Sequence, residues 1–364
     1  MSYVHKGVVT INGNIDPDAV VTESEKLSVY PEDDGIQISD FTKGDFEWWY
    51  FDVYDHSSGC FLKIVLHIGT NPLRTRVISQ LAISLNTPES TNAISFPFNL
   101  TDMKAEKEYC NISISDKVMI VKEPGDPDMY RIKIDIPGFR CHLSFKSYTE
   151  GWKPLGKDIQ YYSGKKKVYF SWLVPVPRAR VEGYLLLDGR KYVLEGAVGY
   201  HDHNYIKIDR KNPLYLDNLV YKWYWGRCFA DVYTVIFCDV HFRVNRILSL
   251  MVAERNEIIY SSNNLIDCSI LTSGYDKVVK AEYPVSLRIK SLDNHFPLTA
   301  VFQSEKILDR KDLLEGVNPI IKFLISRLIS RPAYHGIFST VRLEIKNRSL
   351  EGYGNYESMI FRSK

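Results

Sequence analysis

The sequence is notable first for what it lacks. Its 46 Lys and Arg nearly cancel its 44 Asp and Glu, leaving a formal charge of +2. That balance excludes a dedicated nucleic-acid binder, which carries a strong basic excess. No G-x-G-x-x-G and no G-x-x-x-x-G-K-[ST] occurs, so a nucleotide cofactor is not signalled, and there is no G-x-S-x-G nucleophile elbow. The six cysteines form no C-x-x-C pair, which removes a zinc ribbon or a dithiol redox site. Their low density in 364 residues argues against a disulfide framework and for a reducing compartment. The start shows no basic end followed by an apolar stretch, so no signal peptide is expected, and no run of about 18 apolar residues suggests a transmembrane helix. A cytoplasmic location follows as the expectation.

What the sequence does hold is aromatic side chains: 24 Tyr, 17 Phe and 6 Trp. From about residue 46 onward they fall in strand-like runs rich in Val and Ile, separated by Gly, Asn, Asp and Pro. YRIKIDI and VSLRIKSL alternate with period two. Many short strands with few helices indicate antiparallel barrels or sandwiches. At about 100–200 residues per domain the length predicts two domains. The boundaries expected are an irregular segment over 1–40, one β domain over 41–210 and a second over 211–364, with the turn-rich IKIDRKNPLYLDN between them. From about Asp309 to Arg331 apolar residues recur at three- and four-residue steps, which predicts an amphipathic helix. Pro319 places its stable part near 318–331. Packing across a barrel is its simpler role; Lys322, Arg327 and Arg331 leave a peripheral membrane contact open.

The densest polar constellation is GYHDHNY, residues 199–205. On a strand, Tyr200, Asp202 and Asn204 point one way and His201, His203 and Tyr205 the other. The histidine face could supply two metal ligands, but no third ligand stands at motif spacing, and no metal is expected. Whether the two histidines are structural or functional stays open. The other face offers a carboxylate, a phenol and an amide for acid–base work. The bland alternative is a polar plug at one barrel mouth. Three Trp-bearing runs accompany it. In EWWYFD, Trp48, Tyr50 and Asp52 share a face. In WYWGR, Trp223 and Trp225 do. FSW, with Phe170 and Trp172, is followed by Pro175-Val176-Pro177-Arg178. Singly each is more often core than site; together they suggest an apolar cavity with a few polar tips.

EWWYFDV, the Trp172 strand with its PVPRA continuation, GYHDHNY, WYWGR and the closing GYGNYES follow the order seen in carotenoid hydratases (hydroxyneurosporene synthases), and the chain resembles that family over roughly residues 44–360. The wider superfamily includes fungal decalin-forming pericyclases. The resemblance implies two lipocalin-like β domains with a hydrophobic cavity. It also implies a cofactor-independent enzyme that protonates a C=C bond of an isoprenoid or polyene. In that family the Asp of the HDH motif is the proton donor, beside the preceding Tyr and an upstream aromatic strand. Carried over, these are Asp202, Tyr200 and Trp172, with Asn204 orienting the acid and Trp48, Tyr50, Phe170, Arg178, Trp223 and Trp225 against the substrate. A carboxyl group buried among aromatics is kept protonated by desolvation, and aromatic faces attract the cation formed. Two positions depart from the pattern: Phe170 stands where the family has His, and Tyr205 where it tends to have Trp. Losing that His removes a candidate for activating water, so cyclisation or a pericyclic reaction rivals hydration, and a non-catalytic lipid or isoprenoid carrier is the alternative from outside enzymology. The oligomeric state is not legible.

Overall fold

The computed structural model describes residues 28–70, 76–126, 128–154, 165–215, 220–242, 246–313 and 332–361, with the short strands Tyr3–Val4, Thr10–Ile11, Asn14–Ile15 and Ile159–Ser163. The all-β expectation holds: among these residues the helical content is two single 3₁₀ turns, Pro31–Asp33 and Leu100–Asp102. The contacts divide the chain into two compact units, one spanning Glu25–Tyr161 and Lys165–Pro213, the other built mainly on Leu214–Lys364.

The first unit is a twelve-stranded sheet. Its strands are β1 (Phe46–Asp55), β2 (Cys60–Thr70), β3 (Val77–Asn86), β4 (Thr91–Pro97), β5 (Met103–Ala105), β6 (Asn111–Ile114), β7 (Val118–Lys122), β8 (Met129–Ile136), β9 (Phe139–Ser147), β10 (Lys166–Leu187) and β11 (Arg190–Ile208), with Ile159–Ser163 beside β10. The order is β4-β3-β2-β1-β11-β10-β9-β8-β7-β6-β5. Two antiparallel meanders therefore run outward from a seam where β1 lies against β11. β8 shows how the pattern makes the strand. Tyr130, Ile132, Ile134 and Ile136 are buried while Arg131, Lys133 and Asp135 are exposed, and Gly138, with φ of 80°, turns the chain into β9. Residues from both wings, Leu62, Ile64 and Ile83 on one side and Ile112, Ile134 and Leu143 on the other, join a single core, so the sheet curls around it.

The second unit repeats this plan. Its strands are β12 (Val220–Ala230), β13 (Tyr233–Phe242), β14 (Arg246–Glu254), β15 (Glu257–Ser262), β16 (Ile266–Asp276), β17 (Ala281–Ser291), β18 (Leu298–Asp312), β19 (Ala333–Ile345) and β20 (Arg348–Ile360). The order is β15-β14-β13-β12-β20-β19-β18-β17-β16, with Tyr3–Val4 added in parallel outside β15. Again the first long strand meets the last. The helix expected near 318–331 lies outside the described residues. Its read-in, from Asp309 to Asp312, is strand, paired with Ala333–Gly336.

Candidate active site

The GYHDHNY motif ends β11 at the seam, between β1 and β10. Tyr200 stands opposite Asp52, Asp202 opposite Tyr50 and Asn204 opposite Trp48. On the other flank Asn204 faces Trp172. β10 is 22 residues long and could not run straight through two prolines. Its register shifts between Leu173 and Val176 and again before Ala179, so that Pro175 and Pro177 fall in the irregular stretch, where no ladder hydrogen bond is asked of them. Arg178, half-buried, lies in the same stretch.

Alternation divides these side chains between two faces with different chemistry. On one, Asp202 is held at both oxygens: the Tyr200 hydroxyl donates to Oδ2 at 2.9 Å and the Asn204 amide donates to Oδ1 at 2.8 Å. On β1 the Tyr50 hydroxyl donates to Asp52 Oδ2 at 2.8 Å. The Tyr50 and Tyr200 rings meet edge to face with centroids 6.1 Å apart. Two Tyr-x-Asp triplets, one on each antiparallel strand, thus stand side by side. Trp172 packs edge-on against Trp152 at 5.3 Å. Trp48 and Phe170 are half-buried on the same strands, Phe170 opposite Ile206. Tyr50, Asp52, Tyr200, Asp202 and Asn204 are all buried, although this face lies on the side of the sheet away from the unit's hydrophobic core, to which Trp49 and Phe51 belong.

On the core side, His201 stacks on Phe51 with centroids 3.9 Å apart, and His203 stacks on Trp49 at 4.5 Å. His201 Nδ1 lies 2.9 Å from the Tyr50 carbonyl oxygen, and its Nε2 lies 3.1 Å from both oxygens of Asp34. His203 Nδ1 lies 3.1 Å from the Asp33 carbonyl oxygen, and its Nε2 lies 3.0 Å from Glu47 Oε1. Glu47 also accepts the backbone N–H groups of Gln37 and Ile38, while Asp34 accepts the Tyr130 hydroxyl at 2.7 Å. Burial alone pushes the Asp34 carboxyl up, but the charges of His201 and His203 and the hydrogen bonds it accepts outweigh that and leave it below the ordinary carboxylate range. Asp33, next to it, forms a buried ion pair with Lys153 at 2.7 Å. The histidines therefore fasten the segment around residues 30–38 to the sheet.

Could this network hold a metal? Asp34, Cys110 and His201 bring three donor atoms within 4.8 Å of one another. Asp34 is already saturated by His201 and Tyr130, and burial and the Asp34 charge push the Cys110 thiol up, away from the thiolate a metal needs. The donors satisfy each other. Nor do the two histidines of H-x-H converge as a chelate, since their Nε2 atoms face different carboxylates.

The structure thus gathers Tyr200, Asp202 and Asn204 with Tyr50, Trp48 and Trp172 at one seam. Trp223 and Trp225 stand on β12 of the second unit, Trp223 half-buried against Phe361 and Trp225 buried opposite Glu357 of β20. Sequence reasoning placed Asp52 on the face of Trp48 and Tyr50 but gave it no role; its signal was the repeated Tyr-x-Asp spacing. It also passed over Asp33, Asp34 and Glu47, whose histidine partners lie more than 150 residues away and leave no local mark.

No established protein-family profile matches the chain. A curated relative, hydroxyneurosporene dehydrogenase of Chlorobaculum tepidum, is 26% identical over 228 residues, which is 53% of this chain and 57% of that protein. The chain thus matches little more than half of that relative's length. Among solved structures it is similar to CghA in complex with Sch210972, at 12% identity and a TM-score of 0.65 over 93% of this chain and 97% of that one. It is similar also to a protein described as AttH from Nitrosomonas europaea, at 14% identity and 0.64 over 93% and 98%. Kievitone hydratase from Nectria haematococca matches at 13% identity and 0.56 over 92% and 93%. The fold is the lipocalin-like one these proteins share, as the motifs led one to expect.

Proposed function

We propose that the chain is a cofactor-independent enzyme acting on C=C bonds of a hydrophobic isoprenoid or polyene, with Asp202 as the acid that begins the reaction. One observation carries this reading: a buried carboxyl group gripped at both oxygens by Tyr200 and Asn204, on a sheet face shared with Tyr50, Trp48 and Trp172. Asp202 in its neutral form donates a proton to one alkene carbon. The cation left on the neighbouring carbon is stabilised by the aromatic faces, by roughly 0.5–2 kcal/mol per ring. Capture by water gives an alcohol. The names of two similar proteins, hydroxyneurosporene dehydrogenase and kievitone hydratase, support acyclic carotenoids and prenylated phenols as substrate classes. Phe170, an apolar ring where the hydratases have His, favours a second reading, in which another double bond captures the cation and a ring closes. Trp223, Trp225 and Arg178 belong to the proposed substrate contacts on the strength of the resemblance alone.

The test is incubation with neurosporene and with kievitone in H₂¹⁸O, followed by mass spectrometry. Hydration adds one labelled water; cyclisation leaves the mass unchanged and shifts retention. Asp202→Asn abolishes either. Substrate bound by both proteins but converted by neither makes the chain a carrier.

A further inference from the structure

Hydration needs a group that takes a proton from the attacking water, and the hydratase pattern's His is Phe170 here. We propose that Asp52 is a second catalytic carboxylate of this site, facing the cation that Asp202 creates and accepting the proton of the water that captures it; this rests on the reading above. Asp52 is on the same face as Asp202 and stands opposite Tyr200, while Asp202 stands opposite Tyr50. The two carboxylates are therefore diagonal neighbours across the antiparallel pair, with Cβ atoms about 7 Å apart. Tyr50 and Tyr200 meet edge to face on the crossing diagonal, and the alkene and the water would lie over their rings, with the acid on one side and the base on the other.

Their surroundings divide the roles. Asp52 faces Lys63 of β2 on its other flank, and an ammonium there favours the ionised carboxylate. Asp202 stands opposite uncharged Tyr50 and between Tyr200 and Asn204 on its own strand; its burial favours the neutral acid, while the phenol and amide donors fix its orientation. The step balances as follows. The Asp202 O–H bond breaks as a C–H bond forms on one alkene carbon. A water oxygen bonds to the other carbon, and Asp52 takes the proton released. Asp202 is left as carboxylate and Asp52 as acid, and solvent entering with product release returns the proton to Asp202. Tyr50 holds the base as Tyr200 holds the acid.

The test needs no known substrate. Dodecyltrimethylammonium mimics a cation on an apolar chain, and dodecyldimethylphosphine oxide is a neutral counterpart of similar shape. Both are titrated calorimetrically below their micellar concentrations. The wild type should prefer the ammonium by about tenfold, the scale of a close charge partner and an aromatic wall. Asp52→Asn should erase that preference and leave phosphine oxide binding unchanged. Asp202→Asn should keep it, since the acid form carries no charge. Because Asp52 is fully buried, Lys63→Met on the wild-type background gives an independent reading: removing the opposing ammonium should tighten binding of the cation alone. No preference in the wild type, a preference lost with Asp202 rather than Asp52, or no response to either Asp52→Asn or Lys63→Met overturns the assignment. Labelled-water incorporation with neurosporene or kievitone judges the hydratase reading separately: a cyclase would still show the Asp52-dependent preference and incorporate no label.

Discussion

His201 and His203 each meet an acceptor-only oxygen at both ring nitrogens, a backbone carbonyl at Nδ1 and a carboxylate at Nε2. The Asp34 carboxyl, held below the ordinary range, is the carboxylate that accepts from His201 and Tyr130. His201 is stacked on Phe51 and His203 on Trp49, which fixes both rings. Removing Asp34 leaves the Tyr130 hydroxyl and the His201 Nε2 buried without this partner, and breaking a buried network of this kind costs about 3–5 kcal/mol. Asp34→Ala should lose that much in urea unfolding at neutral pH. Asp34→Asn should lose clearly less, because the amide keeps the shape and one acceptor oxygen. The sign of the pH dependence follows from the same depression. With its folded value below the ordinary 3.8, Asp34 stabilises the fold at pH above the unfolded carboxylate range, and the contribution disappears as pH falls through the folded value. The gap between wild type and Asp34→Asn should therefore close in acid. Equal losses for the two variants, or a gap that persists in acid, would remove the Asp34 charge from the account. At this scale the sequence was half legible. Period two separated Tyr200, Asp202 and Asn204 from the histidines. It could not tell a ligand from a clamp, because Asp34 lies 167 residues from His201.

Apart from the Trp172 strand, the strands that carry the recognisable motifs are the seam strands. β1 and the end of β11 are buried on both faces, whereas β4 and β8 alternate between exposed and covered. A strand covered on both faces has no solvent side to fill with Lys or Glu, so it takes aromatics, and its few polar residues must find partners. EWWYFD and GYHDHNY stood out for that reason, while the wings read only as generic alternation. β10 could be read as Trp172 followed by two prolines, but not as one bent strand, because its bulges are decided by pairing. Gly183 lies just past a further register shift, between Val181 and Glu182. Its φ is 134°, and a Cβ there would lie against the His142 backbone oxygen of β9. Backbone cannot step aside as a side-chain tip can. Gly183→Ala should cost about 3 kcal/mol from strain and overpacking together, against about 0.5 kcal/mol or less for an ordinary surface change. Thermal unfolding measures it. An unchanged midpoint would mean that the β9–β10 pairing yields without penalty.

Over the whole molecule one topology occurs twice. In the second unit WYWGR lies on β12 and GYGNYES on β20, and these two are the seam pair, with Arg227 opposite Asn355 and Trp225 opposite Glu357. All the motif strings but the Trp172 strand thus sit on two equivalent seams. The first strand of each seam is dense in aromatics, six of ten residues in β1 and five of eleven in β12. Two β units could be foreseen from strand count and length. The seam could not, because pairing residues 46–55 with 198–206 leaves no local trace. The cysteines offer a way to follow each unit separately. All six are buried and free, Cys60, Cys110 and Cys141 in the first unit and Cys228, Cys238 and Cys268 in the second. Burial pushes Cys228 and Cys238 up to about 12 and raises Cys110, Cys141 and Cys268 as well. A thiol reacts as its thiolate, so both access and ionisation protect these five, and Cys60 is buried as they are. Native protein at pH 8 should show no fast-reacting thiol with a disulfide reagent, and six after full unfolding. With rising urea, the three thiols of one unit should become reactive over a single transition, because Cys60, Cys110 and Cys141 share one large core, Cys228 and Cys268 share another, and Cys238 lies on the same strand as Val235 and Phe237 of that second core. Mass mapping of the labelled cysteines reads this directly. A thiol that labels well before its two companions would show that the curled sheet carrying it comes apart strand by strand.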